Sequence, residues 1–526
     1  MIDSACISHT RLPHTSKLFA DFLYHFDRVA GFYAHSPYDA ESYRTAAAQV
    51  DYPSERRSAL VKALAEQNGS SPALDRLAQP GAVAVVTGQQ VGLFSGPCYT
   101  IYKAITAAKL ADRLTEMGIP AVPVFWLATE DHDYEEINHC WVFDAEHKPV
   151  RLEIPGSNPE RRPVGEIPID RSPVDALREA LRDFPFGDET AELVADAYTP
   201  GRTLGSAFFH LLRQVLASQD LLFLDPMHPA SRRLAAPLLR EAVEAAPDLT
   251  ARILERNREL TTNGYHAQVH VDEHTSLVFL LEGGRRLTLH RQNSEYSTNG
   301  RKFSARDLAA QAEHLSPNAL LRPVVQDYIL PTVAYVGGPA ELAYLAQSQV
   351  IYDALLRRMP VALHRQSATL LDARAGKLMD RYGLSLTDFF AGEEALKERI
   401  ARKLVPSELG GAIEAAQAKS KQALEELSAA FKAFDPTLEA ALQTSRRKIE
   451  WQLSKIERKA AREALRRNER AAAGAAYLNG LIYPQKHLQE RFYSILPFLA
   501  RHGLELTARL ADLLTLDCRD HRVVAL

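Results

Sequence analysis

The chain has 526 residues, 46% of them hydrophobic and 24% charged, with a formal net charge of -4; this is globular composition, and at roughly 100–200 residues per domain it predicts two to four domains. The near-neutral balance excludes the global basic field that nucleic acids or anionic membranes select. The four cysteines, Cys6, Cys98, Cys140 and Cys518, fall in no CxxC or metal-ligand spacing, and no apolar leader core or run of roughly 18 apolar residues is seen, so a protein of the reducing cytoplasm, with no membrane or nucleic-acid partner, is expected.

Residues 1–80 read as a helical lead-in, with apolar residues at helical spacing in ESYRTAAAQV and RRSALVKALAEQ and a loop-like close at AQPG. AVAVVTG, Ala82 to Gly88, is a short apolar run ending in Gly, the pattern of a strand buried on both faces of a parallel sheet. GPCYTIYKAITAAKLADRLTEMG reads as a helix with Pro97 near its first turn and Gly118 as its stop. IPAVPVFWLAT, Ile119 to Thr129, is a second buried strand. Strand, Gly-rich turn, helix and strand make a βαβ crossover, the opening of a doubly wound sheet.

Residues of about 141–200 are rich in Pro and charge and predict an insertion in the sheet domain, after which LLFLD, Leu221 to Asp225, supplies another buried strand. Over about 264–305, alternation and the EGGRR turn predict antiparallel strands, a second insertion. QDYILPTVAYVGGPAELAYLAQ then restores the first theme: a strand at Thr332 to Val336, a Gly-Gly-Pro turn, and a helix with Glu341 in its first turn. The fold class is therefore α/β, a parallel-sheet core over 81–370.

Across 371–480 the composition shifts to Ala, Lys, Glu, Arg and Leu. Ile413, Ala416, Ser420, Leu424, Leu427, Phe431 and Phe434 fall three or four apart, as do Leu438, Leu442, Ser445, Ile449, Leu453, Ile456 and Ala460. Two long helices split by FDP predict an antiparallel coiled-coil hairpin. Its basic faces read as solvated helix surface. Residues 481–526 are expected to return to the core.

Four stretches carry chemistry. In VVTGQQVGLFSGPCYTIYKA, a Gly-rich turn leading into a helix N-terminus suits a phosphate or carboxylate: Thr87, Gly88, Gly92 and Gly96 let the backbone come close, Gln89 and Gln90 offer amides, and Lys103 can reach back as a cation. The pattern is neither GxGxxG nor GxxxxGK[ST], and glycines alone fit a tight turn equally well. ATEDHDYEEINH sets Glu130, Asp131, His132 and Asp133 at the carboxyl edge of the sheet, where such folds bind ligands and where consecutive ionisable groups need partners or a crevice. His132 beside carboxylates suits a general base; the same acids with Glu136 are weak evidence for metal, and no metal site is assigned. AYVGGPAELAY offers Tyr335, Gly338, Glu341 and Tyr344 for a nucleoside or sugar, with Glu341 equally suited to capping its helix. HRQSATLLD offers Arg365 and Ser367 for an anion, or Ser367 and Thr369 as caps. Cys98 reads as a small buried residue.

In order, GQQVGLFSGPCYTIYK, PVFWLATEDHDYEEINH, RPVVQDYILPTVAYVGGPAELAY and MPVALHRQSATLL, followed by a long coiled coil, resemble the BshC cysteine ligase family of bacillithiol biosynthesis over nearly the whole chain. The resemblance implies a Rossmann-like core related to nucleotidylyltransferases and class I aminoacyl-tRNA synthetases, with connective-peptide insertions and a coiled coil that makes a homodimer. It implies a ligase adding L-cysteine to glucosaminyl-malate, with ATP (leaving as ADP or AMP) and Mg²⁺ for carboxylate activation. The turn Thr87 to Gly96 would take the phosphate-binding place, Gln89 and Gln90 standing where those relatives use His, and Glu130 to Asp133 would face the substrates. Cys98 replaces a common aliphatic residue, and His364 a Pro before Arg365. A nucleotidylyltransferase of the same fold is one alternative, and the absence of HxGH and KMSKS-like sequences keeps open a second, a non-catalytic nucleotide-binding scaffold.

Overall fold

In the computed structural model, which describes residues 6–293, 295–435 and 437–526, the apolar runs become strands β1 (Val83–Gln90), β2 (Ala121–Ala128), β3 (Leu222–Leu224) and β4 (Thr332–Gly337), and β5 (Val361–His364) completes the sheet. All pairings are parallel and the spatial order is β3-β2-β1-β4-β5. Helix α1 (Tyr99–Glu116) follows β1 and helix α2 (Pro339–Leu355) follows β4. Successive residues of β1 serve opposite layers: Val83 and Val85 pack with Ala107 and Leu110 of α1, whereas Ala84 and Val86 pack in the cluster that holds Leu342 and Leu345 of α2. Both faces being covered, the strands carry no apolar-polar alternation. The chain starts in the middle of the sheet, winds outward through β2 and β3, then crosses to β4 and β5. The direction reverses between β1 and β4, and an open parallel sheet has its crevice there, outside the carboxyl ends of the strands.

Between β2 and β3 lie an antiparallel hairpin, His139–Phe143 with Pro149–Glu153, and the helices Val174–Leu181, Gly187–Ala197 and Leu204–Val215. Between β3 and β4 the strands Thr275–Glu282, Arg285–Gln292, Glu295–Thr298, Arg301–Ser304 and Leu315–Pro317 form an antiparallel sheet. The long hairpin consists of α3 (Ser407–Phe434) and α4 (Thr437–Arg466), with shorter helices at its base, among them Glu393–Lys403 and Glu469–Ile482. Phe434, Trp451 and Ile456 on the hairpin are 84%, 52% and 54% exposed. No helix among the described residues is long and apolar enough to cross a membrane.

Residues past the hairpin meet the core in two ways that periodicity does not forecast. His521–Ala525 pairs with both Ala368–Leu371 and Cys6–Ile7, so the first and last described strands share a sheet. Residues 489–494 pack against the start of α1, where Tyr493 O accepts the Cys98 N–H at 2.7 Å.

Candidate active site

A cleft of about 600 Å³ opens at the reversal between β1 and β4. The carboxyl end of β1 brings Gly88, Gln89 and Gln90, the end of β2 brings Glu130, Asp131 and His132, and the β4–α2 junction brings Tyr335, Gly338, Glu341 and Tyr344. Lys103, one turn into α1, and Arg365, just past β5, complete the predicted residues on its wall. Three stretches far apart in sequence thus meet because their strands end side by side.

Lys103 ties the two halves together. Its ammonium donates to Gly88 O at 2.8 Å and to Gln89 Oε1 at 2.9 Å, and it forms an ion pair with Glu341. Glu341 also accepts from Gly338 N at 2.8 Å and from the Tyr335 hydroxyl at 2.5 Å, so the same carboxylate caps α2 and anchors the cleft. Burial works against its charge, but Lys103 and the hydrogen bonds hold the Glu341 carboxyl below the usual range. Arg322, from the helix Arg322–Ile329, donates to the Tyr344 hydroxyl at 2.8 Å and to Gln326 Oε1 at 3.0 Å.

On the opposite wall Gln90 donates to Asp131 at 2.7 Å and to Glu136 at 2.8 Å. Arg286, from the antiparallel insertion, lies 3.5 Å from Asp131 and 3.1 Å from His132 Nδ1, and Arg161 meets Nε2 at 2.5 Å. Burial, then Arg286 and Arg161, push the His132 imidazole below its ordinary value, which leaves it neutral near pH 7. Asp131 is pushed up by burial, yet Gln90 and Arg286 together hold it below the usual carboxylate range. Glu130 faces Arg232 at 3.4 Å. The wall is therefore charged in both signs and organised before any substrate arrives.

Other predicted residues sit elsewhere. Thr87 is buried and donates to Val336 O at 2.8 Å, a bond between β1 and β4. Asp133 caps the short helix Tyr134–Ile137 from outside the cleft. Gly92 and Gly96 form a turn buried under residues 493–494, with Ser494 Oγ donating to Phe94 O at 3.0 Å. Gly96 is required by its φ of 63°, and Gly88 because a Cβ there would come 2.8 Å from Trp126 O on β2. The turn serves strand packing, and the N-terminus of α1 meets the chain's own carbonyl. Arg365 is gripped by Glu490 at 2.7 and 3.0 Å, and Ser367 donates to Glu490 at 2.9 Å, so both belong to a buried ionic network, although Arg365 also edges the cleft. Cys98 is fully buried.

Arg286, Arg322, Tyr99 and Arg491 line the cleft without having been singled out. Arg322 opens the stretch RPVVQDYIL, where Pro at the second helical position signals a helix start; Arg286 is the last residue of EGGRR, but no local pattern tells which neighbour that strand faces. Among the described residues no group of three or more His, Cys, Asp or Glu side chains is disposed to hold a metal ion.

Comparison with known proteins adds the following. Residues 4–366 match the family model described as bacillithiol biosynthesis BshC, N-terminal Rossmann-like domain, and residues 368–526 match its C-terminal coiled-coil domain. A protein of Solibacter usitatus is 58% identical over 99% of both chains, one of Koribacter versatilis 36% over 99% of both, and one of Salinibacter ruber 33% over 96% of both. Each of the three bears the name "Putative cysteine ligase BshC".

Proposed function

The chain belongs to the BshC family of bacillithiol biosynthesis, and from that premise we propose that it is a ligase that joins the carboxylate of L-cysteine to the amine of glucosaminyl-malate. The observation that carries the reading is the cleft itself, where acids and guanidinium groups stand side by side at the reversal of the sheet. An amino acid bearing both charges calls for that pairing: arginine for its carboxylate, carboxylates for its ammonium. Arg322 suits the first task because its partners are phenol hydroxyls and an amide. Glu130 and Asp131 suit the second.

Amide formation from a free carboxylate needs activation, and ATP with Mg²⁺ would supply it as a phosphate or adenylate ester. The residues fitted to hold the phosphates are Arg322, Arg491 and the first turn of α2, all on the cleft wall. The buried turn at Gly92 and Gly96 does not fit that task, since Tyr493 O already takes the Cys98 N–H. Neutral His132 is in the protonation state that takes a proton from the amine as its lone pair attacks the activated carboxyl and the phosphate or nucleotide leaves, with Asp131 3.7 Å from its Nδ1.

The test is mass spectrometry of the pure protein with glucosaminyl-malate, cysteine, ATP and Mg²⁺. Bacillithiol with ADP or AMP in equal amount is the expected result, and His132→Gln should slow it about 10²- to 10⁴-fold. Wild-type turnover by that variant would take His132 out of the role. Nucleotide bound without any product would favour the second reading, a pathway-organising partner, which the plugged α1 terminus supports. We place the homodimer contact on the hairpin, whose exposed Phe434, Trp451 and Ile456 are apolar. Light scattering of a chain lacking residues 407–466 should give a monomer, and a dimer from that chain would move the contact elsewhere.

A further inference from the structure

A second cavity, about 470 Å³, lies over the carboxyl ends of β4 and β5, on the far side of Arg365 from the cleft. It meets the cleft at Pro339, Ala340, Arg365 and Arg491, but Asp131, His132 and Glu341 are not in its wall. Its volume is within the range of small-molecule sites.

The floor is made by His9 and His364, with ring centroids 6.3 Å apart in an edge-on arrangement. Both side chains are more than nine-tenths buried, at 6% and 2% exposure. His9 Nε2 and His364 Nδ1 have no hydrogen-bond partner among the described residues. Both of those atoms are sealed from solvent, so the favoured tautomer of each neutral ring leaves its lone pair there and carries the N–H on the other ring nitrogen. Burial pushes both imidazoles down to about 3, so at neutral pH each keeps one N–H donor and adds no charge.

The rim carries the charge. Lys486 and Arg491 stand there with His14 and His266, against the single carboxylate of Glu490, which Arg365 occupies with both of its terminal nitrogens. The first turn of α2 adds the positive end of its dipole through Pro339 and Ala340. His14, Gln485 and Lys486 have φ of 63°, 47° and 64°, left-handed values that non-glycine residues hold only where the surroundings impose them.

We propose that this cavity binds a small oxyanion, a carboxylate or a phosphate group, which accepts from the buried imidazoles and meets its countercharge in Lys486 and Arg491. The two anions share this recognition and the experiment separates them. Hydrogen-exchange mass spectrometry on the full chain, with succinate or inorganic phosphate as the probe, should show slowed exchange over residues 9–19 and 484–491. Protection by succinate alone assigns a carboxylate ligand, and by phosphate alone a phosphate ligand. Placing negative charge on the exposed rim with K486E and H266E together should weaken the probe at least about tenfold, while H364N tests the floor. Because H364N can fail to fold, the rim pair decides. No protection of these segments by either probe overturns the proposal, as does protection that survives the rim pair and disappears in Arg322→Met, which would put the anion in the main cleft. Binding is read without turnover, so the result stands apart from which amide the protein makes.

Discussion

The junctions that follow β1 and β4 look alike in sequence, each an apolar strand, a Gly- and Pro-bearing turn and a helix, yet they do opposite work. At the first, the helix terminus is closed by the chain itself: Tyr493 O takes the Cys98 N–H and Ser494 sits on Phe94 O. At the second, Glu341 takes only Gly338 N, and Pro339 and Ala340 face open cavity on two sides. A glycine-rich turn before a helix is therefore not an anion site by composition. What decides is whether another segment has already used the terminal N–H groups, and that segment can lie hundreds of residues away.

The largest effect is expected at Glu490, which holds the closing segment in place by its two bonds to Arg365 and one from Ala368 N at 3.0 Å. Glu490→Ala leaves a buried guanidinium unpaired and should cost about 3–5 kcal/mol in urea unfolding. The same group sets an acid limit. Burial alone would raise its carboxyl, but Arg365 holds it down to about 2 from an ordinary 4.5. The folded protein thus binds this proton more weakly than the unfolded chain. Its contribution, on the order of 3 kcal/mol, is complete above about 4.5 and is lost as pH falls towards about 2. Urea midpoints from pH 6 to 3 (a range set by the ordinary glutamate value) should decline in wild type and decline less in Glu490→Gln.

A smaller effect is expected at the open junction. Arg322→Met should lower kcat/KM about 10- to 100-fold with little change in stability; unaltered kinetics would mean that the second junction holds no substrate anion. The smallest effect on activity is assigned to the closed junction, where Gly96→Ala meets a φ of 63° with a ψ of -164°, a region nearly reserved to glycine, and should cost about 1–3 kcal/mol of stability with an unchanged nucleotide KM. A nucleotide KM that rises tenfold while the protein stays folded would show that the first turn touches phosphate and that the two junctions are not so different.

Much of the core was readable from local pattern. Doubly buried strands give unbroken apolar runs, so Val83–Gln90, Ala121–Ala128 and Thr332–Gly337 stand out, and the charged residues after FWLA mark a strand's carboxyl end. Lys103 lies on the cleft wall, and its partner Glu341 comes from the other half of the sheet. What local pattern lacks is partner identity. Arg365 and Ser367 have the side chains of an anion site, and the anion they hold is Glu490, 125 and 123 positions further along the chain. Arg286 reaches His132 from an inserted sheet whose docking no strand periodicity encodes. The glycines at 92 and 96 carry a backbone requirement that a phosphate site and a tight turn share, and only the position of Tyr493 separates the two.

His521–Ala525 lies between Cys6–Ile7 and Ala368–Leu371, and this sets a schedule for synthesis. Ala368–Leu371, fully buried in the finished fold, has no strand beside it among the described residues until residue 525 has left the ribosome. At about 5–20 residues per second, translating from residue 371 to that point takes on the order of ten to thirty seconds. For that interval the nascent chain presents an open, apolar strand edge of the kind that recruits other strands. This sheet is thus a late, non-local step, and chaperone dependence of the yield should fall mainly on chains that have been translated past the hairpin but have not yet received the strand His521–Ala525.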